Sequence, residues 1–395
     1  MRRLCLSLAL ALAGCVESDA PNHPRPGTPA VDLVASVERG RVLAAAGRAL
    51  AATPLTITAY PAKLSEGGRN DFYSNGDYWW PDPAKPNGLP YIRRDGQTNP
   101  ENFVQHRNAL NGFRDHVAAL AAAYRLTHDE KYAVQAVKFL DVFLLDAGTR
   151  MNPHLKYAQA IPGRSPGRGI GIIDTLHLIE IPPAIQALRG SPALTAEREA
   201  GLRRWFNDYK DWMLASDNGK EEANEKNNHA VAFWLQVAVF ANFTDDQAAL
   251  AECRTRFTQK FIAGQMAMDG GFPLELARTK PYAYSLFQLD NLATLGWVLT
   301  ADRTHYWRHT LPDGRGLAKG VDFMTPFVAD KSRWTRPPDV QAWEGWPSRP
   351  VYLLFAGIAL ERPALIDLWK RLDGDPTDPE VRRNRAITQP LLWVK

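Results

Sequence analysis

Cysteine is scarce. Three residues in 395, at positions 5, 15 and 253, leave no basis for a disulfide framework or a Cys/His metal cluster. A strong charge of one sign is missing too: 47 Lys and Arg oppose 43 Asp and Glu, for a formal net charge of +4. That balance is too weak and too mixed for a nucleic-acid surface. EF-hand, HExxH and Walker-type GxxxxGKS/T patterns are absent, so no metal, phosphate-cradling loop or cofactor is expected. Beyond the first dozen residues no apolar run is long enough to span a membrane. Period-two alternation is rare, which argues against an all-β fold.

What remains is ordinary globular composition, 45% hydrophobic and 23% charged, with enough apolar material for one large core. Twelve tryptophans are many. Indoles fill cores, but they also stack on sugar rings, so a carbohydrate ligand becomes worth testing. At the N-terminus, Arg2 and Arg3 precede an apolar run, Leu4 to Leu12, and then Ala13-Gly14-Cys15. This order predicts a secretory signal over 1–14 with a lipobox, and a lipid on Cys15. Residues 15–28, rich in Pro, Asp, Ser and Asn, predict a flexible tether, and 29–395 a single domain. The expected address is periplasmic or outer-membrane, with the lipid as the only membrane contact. Loss of Arg2 and Arg3 would take the net charge from +4 to +2, so any anionic ligand must be met by local Arg and Lys.

Helical spacing recurs at 31–52, 103–127, 131–145, 172–188, 195–214, 228–243, 245–266, 282–299, 316–328, 340–359 and 363–372. So many moderate helices without a strict repeat predict an all-α fold. The economical arrangement is an α/α toroid, an incomplete barrel of antiparallel helical hairpins with long loops lining a cleft. Two irregular stretches stand out. Residues 60–102 carry Tyr78-Trp79-Trp80 and Arg93-Arg94; residues 152–169 carry Gln159, Arg164 and Arg168 among Gly and Pro. Long loops inside compact domains are usually functional. Each arginine taken singly reads as a surface ion pair, and each aromatic as a pin for its loop. Side by side they outline a cleft for an acidic sugar.

Two further stretches carry chemistry. In Asn227-Asn228-His229, Asn is a favoured N-cap, so a helix is predicted from 227 or 228 with His229 in its first turn. Alone, this reads as a capped core helix with a satisfied histidine. Roughly fifty residues on comes Glu275-Leu276-Ala277-Arg278-Thr279-Lys280-Pro281-Tyr282-Ala283-Tyr284. Thr279 can cap a second helix and Pro281 suits its first turn, which leaves Arg278 on the entering loop and Tyr284 early in the helix. Together, Asn228, His229, Arg278 and Tyr284 supply what β-elimination on a uronic acid requires. The C5 hydrogen lies α to a carboxylate that resists further charge, so an amide or guanidinium must stabilise the enolate-like state. A base removes that proton and an acid protonates the departing O4. A tyrosine can do both if a nearby Arg favours the phenolate against an ordinary pKa of about 10.

These stretches, with Tyr73–Pro83 and Gly169–Asp174, resemble the alginate lyase family of α/α-toroid polysaccharide lyases over roughly residues 60–356. The resemblance implies the toroid fold and an anionic polyuronate substrate, alginate or polymannuronate, with glucuronan as an alternative. It implies that Asn228 and Arg278 neutralise the substrate carboxylate, and that Tyr284 is the acid and, for mannuronate-type sugars, the base. His229 is implied as base or carboxylate holder. Tyr78, Trp79, Trp80, Arg93, Arg94, Gln159, Arg164, Arg168, Asn227 and Tyr282 are the expected substrate contacts. The Arg–Tyr spacing is one residue shorter than in the best-known branch, which points to a side branch and keeps Tyr282 as a rival to Tyr284. In β-linked D-mannuronate or D-glucuronate the C5 hydrogen and O4 share a side, within reach of one tyrosine. α-L-Guluronate would call on His229 as base. Two other readings stay open: an inverting hydrolase using a pair among Asp174, Glu180, Glu275 and Asp290, and a surface lipoprotein that only captures glycans. His177 reads as a packed core histidine.

Overall fold

A computed structural model describes residues 29–301 and 305–395. The expected signal segment, the lipid-bearing Cys15 and the tether lie outside the described residues. Several helices start at a side-chain cap. Asp129, Thr195, Asn227 and Asp378 each turn a side-chain oxygen onto a backbone N–H of the following turn.

The helices stand in two layers. The inner layer runs Gln105–Thr127, Ile181–Ala187 (after the 3-10 run Gly169–Glu180), Asn228–Thr244, Pro281–Leu299 and Val351–Ala359, each touching the next. The outer layer comprises Glu130–Leu140, Ala196–Ala215, Gln247–Arg256, Leu317–Ala329 and Pro363–Arg371, packed on inner neighbours. The chain alternates between layers, which makes an α/α toroid. Patterning follows position. Asn228–Thr244 is buried through Phe243 except at His229 and Asn242, because neighbours cover it on every side. The outer helix Pro363–Arg371 buries only Leu365, Leu368 and Trp369, one stripe at helical spacing.

Three expectations needed correction. The helix predicted over 340–359 begins only at Val351; Pro347 and Pro350 hold the preceding chain extended, after a 3-10 turn at Trp343–Gly345. Asp217–Ala223 is a short helix with no apolar stripe to announce it. The two irregular stretches are joined by strands: β1 (Tyr73–Asn75) pairs in parallel with β4 (Tyr157–Ala160), and β2 (Trp79–Trp80) pairs antiparallel with β3 (Ile92–Arg93). The loops thus form one rim above the inner helices. No helix among the described residues is long and apolar enough to cross a membrane.

The seam between the first and last hairpins is closed by charge. Arg41 and Arg349 both pair with the buried Glu38. Residues 386–394 then pack under the ring, almost wholly buried. Glu180 fastens this segment: its Oε1 accepts from the backbone N–H groups of Thr388 and Gln389, each at 2.8 Å, and its Oε2 from Thr388 Oγ1 at 2.7 Å and Arg114 Nη1 at 3.1 Å. Removing one member of such a buried set leaves the others uncompensated. We predict that Glu180→Ala loses about 3–5 kcal/mol of stability, seen as a lowered midpoint in urea or heat. A midpoint equal to wild type would show that the segment holds without this carboxylate.

Candidate active site

The inner helices Asn228–Thr244 and Pro281–Leu299 open on the same side of the ring, beneath the rim. Between them lies a cleft of about 370 Å³. Its walls include Tyr78, Trp79, Arg93, Gln159, Arg168, Asn227, Asn228, His229, Arg278 and Tyr284. Residues more than two hundred positions apart therefore meet in one space.

Asn228, His229 and Arg278 are each held by a carboxylate. Asn227 caps its helix through Oδ1, 3.2 Å from the His229 N–H. Glu275 Oε1 accepts the Asn228 backbone N–H, and its Oε2 accepts Asn228 Nδ2, each at 2.7 Å. The amide is thereby fixed, with its second N–H uncommitted to Glu275. His229 Nδ1 lies 2.9 Å from Oε1 of the buried Glu222. Burial alone would lower the imidazole pKa, but the Glu222 carboxylate outweighs it and the net shift is upward. The pair therefore favours imidazolium, with Nε2 left to the cleft.

On the facing helix the expected cap is replaced. Thr279 donates to Asp95 Oδ2 at 3.2 Å instead. The two oxygens of Asp339 cap the helix, accepting from Tyr282 N at 2.9 Å and Ala283 N at 3.0 Å. Arg278 makes a two-point contact with Asp95, at 3.2 and 3.0 Å, and donates to the Tyr284 hydroxyl at 3.2 Å. Gly96 permits this closure: its φ is +74°, and a Cβ there would stand 2.2 Å from Thr279 Oγ1. The hydroxyls of Tyr284 and Tyr78 are 2.6 Å apart. Burial pushes the Tyr284 phenol well above its ordinary range, and Tyr78 adds to this, while Arg278 only partly offsets it. The resting hydroxyl is thus a protonated donor, not the ready phenolate expected from the arginine alone.

Beneath these groups runs a chain of alternating charge. Lys280, buried under the Tyr78 and Tyr284 rings at 5.2 and 5.5 Å from their centres, pairs with Glu380. Glu380 pairs with Arg383, and Arg383 with Asp77. Asp77 Oδ1 meets Arg107 at 2.6 Å, and Arg107 meets Asp174 at 3.2 Å. Asp174 accepts Gln159 Nε2 at 3.2 Å, and Gln159 Oε1 accepts Arg168 at 3.1 Å. Burial would raise the Asp77 pKa, but Arg107 and Arg383 together drive it far down. Asp77, Arg107, Arg383, Glu222 and Asp95 were not foreseen. Their partners lie far along the chain, and singly they resemble surface charges.

Four expected substrate contacts do not line the cleft. Tyr282 is fully buried, donates to the Phe327 carbonyl at 3.3 Å, and packs edge-on against Trp334 and Trp343. It belongs to the core, which leaves Tyr284 as the tyrosine facing the cleft beside Arg278. Trp80 donates to Gln97 O at 3.0 Å and is covered by Arg94 at 4.8 Å. Arg164 donates to Tyr91 O at 2.9 Å and lies over Trp79 at 5.3 Å. These three brace the rim. His177 does line the cleft, although it is buried. Among the described residues no group of three His, Cys, Asp or Glu could hold a metal ion.

The alginate lyase family model matches residues 56–334. The crystal structure of an alginate lyase from Bacteroides ovatus superposes with a TM-score of 0.77 at 33% identity, over 91% of this chain and 93% of that one. This chain belongs to the alginate lyase family. It is accordingly a polysaccharide lyase. Alginate lyase A1-III, in a tyrosine-to-phenylalanine form complexed with tetrasaccharide, shares the fold at a TM-score of 0.53 and 15% identity, over 93% of this chain and 97% of that one. A search of curated proteins gave no significant match. For this family member we predict that Glu222→Gln moves the His229 titration to lower pH, followed through its imidazole C–H resonances. An unmoved titration would show that the carboxylate does not hold the proton on His229.

Proposed function

We propose that this lyase cleaves a β-linked polyuronate, of the mannuronate or glucuronate type, by syn β-elimination. The observation that carries the reading is Tyr284: one hydroxyl within hydrogen-bond reach of both Arg278 and Tyr78, across the cleft from Asn228 and His229. In this reading Arg278, the free N–H of Asn228 and the His229 imidazolium surround the substrate carboxylate. They oppose the charge that builds as C5 loses its proton. Glu222 shifts His229 toward its cationic form, although burial raises the pKa of Glu222 as well; a histidine biased that way is the poorer base, and the reading gives proton abstraction to Tyr284. Tyr284 must first shed its own proton, which passes to the Tyr78 hydroxyl as Tyr78 releases its own proton to solvent at the cleft. The phenolate takes the C5 proton and returns it to O4 on the same face. The C4–O4 bond breaks as the C4–C5 double bond forms, leaving a 4,5-unsaturated end.

The hydrolase alternative loses its carboxylates. Glu180 holds the C-terminal segment, Glu275 holds Asn228, and Asp290 caps the Val351 helix. Asp174 is the one of the four on the cleft, already paired with Arg107. No two of them face each other across a sugar-sized gap, as that chemistry requires.

Tyr284→Phe is predicted to lower kcat on polymannuronate by about 10²- to 10⁴-fold, followed by ultraviolet absorbance of the unsaturated product, with an unchanged circular dichroism spectrum. Wild-type rates in that variant would sink the assignment. The active form needs a phenolate beside an imidazolium, and both groups are shifted upward. The optimum of kcat/KM is therefore predicted above neutrality. An acidic optimum would instead indicate a tyrosine that serves only as acid.

A further inference from the structure

A second and larger cavity, about 1070 Å³, lies on the far side of the Asp77–Arg107–Arg383 wall. It occupies the seam of the toroid, between the helices Pro29–Ala51 and Gln105–Thr127 and residues 374–389. Those three wall residues border both spaces. The volume is at the upper end of what ligand sites enclose. Its lining is rich in charge, with seven arginines against five carboxylates. Several of those cations are not spent on structure. Arg385 donates to the Gly374 carbonyl, and no carboxylate of the described residues stands within ion-pair distance. Arg48 is exposed at the mouth, and Arg382 approaches Asp115 only at 3.6 Å. On the same lining, Arg107 Nε and Asn111 Oδ1 are buried without a hydrogen-bond partner. A space of this size with loosely committed guanidinium groups fits planar carboxylates spaced along a hydroxylated chain.

We propose that this chamber is a second binding site for carboxylated sugar residues, beyond the one that reacts. The inference rests on the polyuronate reading of the cleft and extends it. The occupant is either the same chain running on past the wall or a separate chain, and the two give different kinetics.

The test uses Arg48→Glu/Arg382→Glu, two exposed positions that do not line the catalytic cleft. Binding is measured by calorimetry with an alginate tetrasaccharide, in the Tyr284→Phe background. Two binding steps are expected, the weaker one salt-sensitive and lost on charge reversal. If one chain spans both sites, KM for the polymer rises roughly three- to tenfold at low salt while KM for a trisaccharide holds. If a separate chain binds, the second step is lost and both KM values hold. A single binding step in both proteins, with polymer KM unchanged, overturns the proposal. Absence of any unsaturated product from the wild-type enzyme on every polyuronate would instead overturn the reading of the cleft, whatever the calorimetry shows.

Discussion

Asp77 between Arg107 and Arg383 is the contact on which the rest of the site depends. Three parts of the chain meet there: the aromatic rim, an inner helix and the short C-terminal helix Pro379–Arg383. A carboxylate buried between two guanidinium groups is stabilised only while both remain, so the three parts are placed together or not at all. From this centre the charges alternate outward, to Lys280 under the two tyrosines on one side and to Asp174 and Arg168 on the other. Electrostatic catalysis needs dipoles and charges that do not reorganise when the substrate's charge shifts. A buried network of alternating charges, closed at one end by the neutral amide of Gln159, supplies that rigidity.

The same logic repeats at the helix ends. Glu275 grips Asn228 by backbone and side chain, Glu222 orients His229, and Asp339 caps the helix that carries Tyr284. Helix N-termini already favour negative charge. Here that preference is met by protein carboxylates, which leaves the polar faces of the capped residues turned to the cleft. Asn228, His229 and Tyr284 sit on inner helices and Arg278 on the loop that enters one of them, while the residues that shape the entrance ride on the strand-tied rim.

Much of this was legible in the amino-acid order, and the reason is local. The Asn227 cap, the placement of His229 in a first turn and the Arg278-to-Tyr284 step are decided by neighbours along the chain. The helical class followed from spacing in the same way. What stayed hidden depends on distant partners. Arg107 looks like any charge on an amphipathic helix until Asp77 and Asp174 close on it. Tyr282 and Tyr284 are two apart in one helix. One faces three tryptophans of the core and the other the cleft, a distinction that only packing makes. Tyr284 shows the same limit: a neighbouring arginine was the condition the sequence set for a phenolate, but the cost of burial was invisible in the sequence.

The two-point contact between Arg278 and Asp95 means that the guanidinium already carries a resident anion when the cleft is empty. On the polyuronate reading, an arriving uronate competes with this tethered counter-ion for the guanidinium, much as on an ion-exchange resin. On that same reading a neutral or esterified sugar has no charge with which to compete for the guanidinium, so the resting pair would select ligands by charge before shape.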